Sequence, residues 1–164
     1  LAQVRTHFHI LNDGQSPLES GVAAFFAAYG SVGWVFAGDA LEFILAGRRE
    51  MGGLSWVGED RLIPLKAIAW LDLKARKDQG AAIDARDIRK HLNDVLRLSQ
   101  LLAPTTRIPL DPKIGSDLAR FLAEVVADTS IDPQVLQLGK VSVAELVARI
   151  AQAYGLQAPV PVSR

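Results

Sequence analysis

The pattern of apolar and polar residues divides the chain into a mixed first part and a helical remainder. Alternation over residues 4–11 predicts a short strand, residues 17–29 have helical spacing, and 31–38 form an apolar run typical of a buried strand. An aspartate is placed to cap a brief helix over 39–46, after which glycines interrupt the pattern. This order predicts a small α/β segment over residues 1–61.

Two consecutive helices are predicted in the middle of the chain. A short strand and turn at 53–61 precede the first helix, which we expect to begin at Pro64, because proline lacks the N–H that would be unpaired in a first turn. This helix is expected to end near Asp78, before Gly80, and Asp84 is placed to cap the next one. The inward stripe of the second helix contains Ile88, Leu92, Val95, Leu98 or Ser99, and Leu102. The two segments predict an antiparallel helix pair.

Two further helices are predicted after a proline-rich loop at 103–112. Apolar residues repeat at helical intervals over 111–127, and one more helical turn is expected within 131–138. Ser142 is placed to cap a final helix, which Gly155 ends.

These elements predict an α+β fold that is mostly α, with short N-terminal strands followed by a C-terminal helical bundle. We expect residues 62–155 to form the helical domain and the proline-rich residues 156–164 to form a flexible tail. A chain of 164 residues has room for one core with a small appendage.

Composition narrows the classes of protein to consider. The 18 basic and 18 acidic residues cancel, which argues against general steering toward nucleic acid or anionic lipid. There is no cysteine, so disulfides and thiolate metal sites are excluded. No signal peptide is recognisable, and no apolar stretch approaches the roughly 20 residues of a membrane span. We therefore expect a cytoplasmic protein without membrane contact, and its start at Leu1 is compatible with a fragment.

One lysine and one helix face are the candidates for chemistry. Lys66 lies among apolar residues on the first helix of the pair, where it either runs along apolar surface with its ammonium in water or contacts phosphate. Asp87, Lys90, His91 and Asp94 recur at i, i+3, i+4 and i+7 and so share one face of the second helix. The ordinary interpretation of that face is a solvated one with ion pairs, each worth a few tenths of a kcal/mol.

Other polar residues point less clearly to a site. His7 and His9 lie on one side of a predicted strand, but two imidazoles without further ligands do not predict a zinc centre. Arg76 and Lys77 are expected to offset the negative end of a helix dipole. Residues 72–97 contain seven Lys or Arg against five Asp, a net charge of +2, which gives no general nucleic-acid footprint.

The segments LIPLKA, AWLDL, RK, DIRKH, NDV and RL follow one another between Leu62 and Leu102. Their order resembles the C-terminal half of bacterial nucleotidyltransferases of the AbiEii type, a type IV toxin-like family, and the similarity extends from Ala40 to Gly155. The resemblance implies the C-terminal part of a polymerase-β-like nucleotidyltransferase. It also implies Mg²⁺ and a nucleoside triphosphate as cofactors of the intact family, an RNA or protein acceptor, and an antitoxin as partner.

The resemblance assigns roles to three residues. Lys66 is expected to face the nucleotide, Lys90 to steady a phosphate, and Asp94 to orient the phosphate or act as a base. His91 departs from the family, because many members have an acidic residue at its position. Paired aspartates of the Asp-x-Asp or Asp-x-Glu kind, which hold two magnesium ions, are absent from the first 60 residues.

Two functional interpretations follow. In the first, the chain is a fragment, a truncated product or a degenerate homologue of a nucleotidyltransferase, in which residues 1–61 are a remnant of the catalytic core. It is then expected to be inactive by itself. In the second, it is a non-catalytic protein-interaction or dimerisation module that uses the helix pair as its surface.

Overall fold

The computed structural model describes residues 39–159 of the chain, with side chains from Glu42 onward. The chain divides after Arg61 into two compact units. Helices and strands are numbered within the described residues.

The first unit contains a helix followed by a two-stranded antiparallel hairpin. Helix α1 (Asp39–Ala46) lies where the sequence predicts it, and strand β1 (Arg48–Met51) pairs with β2 (Leu54–Val57). Gly52 and Gly53 join the strands with φ angles of 59° and 77°. Two left-handed residues in succession form the tight turn that suits the twist of a hairpin, and glycine adopts them without steric cost.

Strand β1 was not predicted from the pattern. Its sequence, RREM, has no alternation of apolar and polar residues, and all four residues are exposed. Pairing across the glycine turn, rather than burial of one face, therefore defines this strand.

Helix α2 (Glu59–Asp78) begins before Pro64, so the predicted start is wrong. Glu59 and Asp60 occupy its first turn, where carboxylates are stabilised by the positive end of the helix dipole. Pro64 lies inside the helix, where its lack of an N–H removes one backbone hydrogen bond. The predicted end is confirmed, since Gly80, with φ 90°, donates its N–H to the carbonyl of Lys77 at 2.9 Å.

Helix α3 (Ala85–Leu98) is capped as the sequence predicts. The carboxylate of Asp84 accepts a hydrogen bond of 2.9 Å from the N–H of Arg86. After Leu98 the backbone tightens into a short 3-10 helix (Ser99–Leu101), so α3 stops short of the expected end at Leu102.

Two more helices complete the second unit. Asp111 caps α4 (Pro112–Ala127), and Ser142 forms a reciprocal capping box with Glu145 at the start of α5 (Val143–Ala153). No helix is present within 131–138, where one more helical turn was expected. The segment forms hydrogen-bonded turns, in which the N–H of Leu138 donates to the carbonyl of Pro133 at 3.0 Å and Gln137, at φ 59°, takes the left-handed conformation that closes such a turn.

The core of the second unit lies among helices α2 to α5. Trp70 of α2 packs edge-to-face on Phe121 of α4, with ring centroids 5.3 Å apart. The most deeply buried large side chains are Ile63, Leu92, Leu96, Ile114, Leu118, Phe121, Leu122, Leu146 and Ile150. The predicted α+β class with mostly helical content is confirmed. None of the helices in the described part of the chain is long and apolar enough to cross a membrane.

Candidate functional site

The structure brings together two of the three residues that the sequence singles out. Lys66 of α2 donates a hydrogen bond to Asp94 of α3, with Nζ and Oδ2 2.7 Å apart. The contact spans 28 positions of sequence and joins the first half of α2 to the second half of α3. It is a charge-assisted hydrogen bond of normal length.

The helical pitch places both side chains at the margin of the core. Ile63 and Ala67, on either side of Lys66, are buried, and Val95 next to Asp94 is buried as well. The lysine side chain is 13% exposed and that of the aspartate 27%. The ion pair is therefore partly screened from water, which makes each charge more dependent on its partner than an exposed charge would be.

His91 lies one turn before the position of Val95 and is buried, with 7% of its surface exposed. The pKa of its imidazole is lowered from 6.5 to about 4, mainly by burial and to a smaller extent by the ammonium of Lys66. The charge of Lys90 also lowers the pKa of His91, whereas the charges of Asp94 and Asp87 raise it. At neutral pH the ring is therefore uncharged.

The residues of the predicted polar face of α3 differ in how deeply they are buried. Asp87 and Lys90 are exposed, Asp94 is half-buried, and His91 is buried. Lys90 lies one helical turn before Asp94 on the exposed surface of α3. The three residues chosen from the resemblance thus comprise a partly buried ion pair and an adjacent exposed cation.

Asn93, which the sequence reading passed over, is a further polar group in this region. Its side-chain oxygen is buried and has no hydrogen-bond partner among the described residues. A buried acceptor of this kind is normally satisfied by a donor from protein, water or a ligand. Its position next to Asp94 was visible in the sequence, but its burial was not.

A second ion pair between helices was also missed. Lys74 of α2 is hydrogen-bonded to Glu124 of α4, and its ammonium lies 4.8 Å from the centroid of the Trp70 ring. The spacing of Trp70 and Lys74, one turn apart on a helix, is the sequence signal that could have suggested the cation–π contact. This pair has the same charge types as Lys66 and Asp94 and provides an internal comparison.

The remaining candidates do not form a site. Arg76 pairs with Asp72 one turn away at 3.5 Å, and Lys77 is exposed. His7 and His9 lie outside the described residues. No group of three or more His, Asp or Glu residues within the described part of the chain is arranged to hold a metal ion.

Comparison with known proteins does not assign a family. No family model, curated protein or solved structure matches this chain.

The residues of this site fit a phosphate better than a pair of metal ions. Two-metal chemistry needs several carboxylates that hold the cations about 4 Å apart. In the described residues the carboxylate of this site, Asp94, is engaged by Lys66, and no acidic cluster accompanies it. The described donor set does not fit a two-metal centre, whereas a lysine ammonium can contact a phosphate as a point charge.

Proposed function

We propose that this chain is the C-terminal, mostly helical portion of a nucleotidyltransferase-like protein of the AbiEii type. In this proposal Lys66 and Lys90 contact the phosphates of a nucleoside triphosphate, and Asp94 helps to orient them. An RNA or protein would accept the nucleotidyl group, and an antitoxin would be a partner of the intact protein.

The contact between Lys66 and Asp94 is the observation that supports the proposal most directly. The two residues belong to separate segments of the sequence, and their charged atoms lie 2.7 Å apart. The competing explanation is a structural ion pair that only joins α2 to α3. Binding measurements distinguish the two, because a structural pair has no reason to affect affinity for phosphate.

Calorimetric titration of the full chain with each nucleoside triphosphate, with and without magnesium, tests the phosphate role. We expect weak binding that Lys66→Met or Lys90→Met removes, because each substitution deletes a positive charge while keeping most of the aliphatic stem. Lys74→Met is the matched control, since Lys74 is also an ion-paired lysine of α2. Absence of binding, or an equal loss in the Lys74 variant, would refute the proposed phosphate contacts.

The chain by itself is expected not to transfer nucleotides. Its first 60 residues contain no Asp-x-Asp or Asp-x-Glu pair, and in two-metal chemistry the cations stabilise the charge that develops on the transferred phosphoryl group. Incubation with radiolabelled nucleoside triphosphates, magnesium or manganese, and total RNA provides the measurement. Reproducible labelling that Asp94→Ala abolishes would contradict this expectation.

A second candidate function is self-association as a non-catalytic module. Paired strands place Met51, Leu54 and Trp56 on one face of the hairpin, and their side chains are 73%, 59% and 37% exposed. A two-stranded hairpin is marginally stable alone, so covering this face with the same face of a second copy would stabilise it. Sedimentation over a range of concentrations should show a dimer that Leu54→Lys dissociates. A monomer at every concentration would exclude this function.

A further inference from the structure

We propose that Asp94 is a displaceable latch on Lys66, so that a polyphosphate has to replace its carboxylate in order to bind. The inference rests on the proposed function, because it concerns what the same lysine contacts. It keeps the two lysine contacts and replaces the orienting role of Asp94, whose carboxylate here opposes binding and sets its selectivity. Positioning of a phosphate by Asp94 predicts weaker binding when the carboxylate is removed, whereas a latch predicts tighter binding.

The ammonium of Lys66 already has an anionic partner. Within the described residues, the hydrogen bond of the Lys66 ammonium goes to Asp94 Oδ2, at 2.7 Å. Lysine concentrates its charge on one nitrogen, so a phosphate oxygen in hydrogen-bond range of Nζ would lie close to the carboxylate. Two anions that close repel each other in a partly buried environment, and one of them has to move away.

The ion pair is only partly accessible to solvent. The lysine side chain is 13% exposed and that of the aspartate 27%. An anion that reaches the ammonium therefore has to approach a carboxylate that already lies 2.7 Å from it. The latch disfavours any anion whose contacts do not offset the loss of the ion pair.

Lys90 gives the site a preference for longer anions. It is exposed on α3 one turn before Asp94, so it shares a helix face with the carboxylate that binds Lys66. A single phosphate can replace Asp94 at one lysine, whereas a chain of phosphates can contact both cations. The ligand class that this arrangement favours is therefore a di- or triphosphate over a monophosphate.

Titration of the full chain with inorganic triphosphate and with inorganic phosphate, in metal-free buffer of low salt, tests the latch. We expect Asp94→Asn to bind triphosphate about tenfold more tightly than the wild type, which corresponds to the loss of one ion-pair competitor. Its affinity for phosphate should rise by a larger factor, which narrows the preference for triphosphate. Asp94→Glu retains the competing charge and should remain close to the wild type.

Glu124→Gln is the matched control, because it releases Lys74 from an ion pair on the same helix and changes the net charge equally. It should leave both affinities unchanged, and an equal gain in this variant would overturn the latch. Urea unfolding measures whether each variant is folded. If Asp94→Asn does not fold, Asp94→Ser is used in its place.

The outcomes separate the two proposals. If the wild type binds triphosphate but neutral substitution of Asp94 leaves binding unchanged or weakens it, the latch is overturned and the phosphate role remains. If neither the wild type nor the neutral variants bind, both proposals are overturned.

Discussion

The region between α2 and α3 contains an ion pair and a buried histidine, His91, whose protonation is linked to folding. The Lys66 ammonium lies beside the Asp94 carboxylate, and both influence the buried ring of His91. Removing one member of a partly buried ion pair leaves the other charge without compensation, so single substitutions here affect stability as well as binding. Each binding experiment on this region therefore needs a measurement of folding beside it.

The free energy of unfolding is expected to fall as the pH decreases from about 6.5 toward about 4, because of His91. Its folded pKa of about 4 lies below the ordinary value of 6.5, so the unfolded chain binds the proton first within this window. The loss should be on the order of 3 kcal/mol at most and should be absent above pH 7.

Urea unfolding at several pH values between 7 and 4.5 measures this effect. His91→Gln removes the titrating ring and should flatten the dependence. The lowered pKa values of Asp84, Asp128 and Glu145 lead to losses at more acidic pH, since carboxylates begin to protonate there. An unchanged slope in the glutamine variant would assign the acid sensitivity to other groups.

At the scale of elements, side-chain caps define where the helices of the second unit begin. Asp84, Asp111 and Ser142 each accept a hydrogen bond from a backbone N–H of the first turn. Such bonds satisfy donors that have no partner inside the helix. The cap at Ser142 is reciprocal, because Glu145 accepts a hydrogen bond of 2.7 Å from the N–H of Ser142.

Ser142→Ala should lower the free energy of unfolding by about 1 kcal/mol, because one N–H at the start of α5 loses its acceptor. Urea unfolding at neutral pH provides the measurement. Ser116→Ala is the matched control, since Ser116 is exposed within α4 and caps no helix. Its stability should change by less than about 0.5 kcal/mol, and equal effects of the two substitutions would contradict the capping argument.

At the scale of the whole molecule, one buried cluster connects the helices of the second unit. Its members extend from Ile63 to Tyr154 and come from α2, α3, α4, α5 and the loops that join them. The loop after α3 is fixed to the end of α5 by a hydrogen bond of 2.8 Å from the N–H of Ile108 to the carbonyl of Ala153. These contacts give the second unit a core of its own.

A fragment that contains residues 59–159 is therefore expected to fold and to unfold cooperatively. It retains α2 to α5 complete and all the buried residues of their core. Circular dichroism and urea unfolding of the purified fragment are the measurements. A second test within the fragment is Phe121→Ala, which should cost about 3–5 kcal/mol because a fully buried aromatic ring is removed. A fragment without a cooperative transition would show that the cluster is insufficient for folding.

The sequence by itself determined most helix ends, because the interactions that set them are local. Asp84, Gly80 and Ser142 act on backbone groups a few residues away, so their residue types and positions were enough to predict where helices start and stop. The start of α2 predicted at Pro64 is wrong. The helix contains this proline beyond its first position, and the acidic residues before it favour an earlier start.

Only the tertiary structure decided which residues form the candidate site. Lys66 and Asp94 are 28 residues apart, and the spacing of residues on each helix says nothing about the distance between two helices. The same holds for His91, whose place on a polar face of α3 gave no sign that packing would bury it and lower its pKa. Contacts between distant segments depend on how the whole core packs, whereas caps and turns depend on a few neighbouring residues.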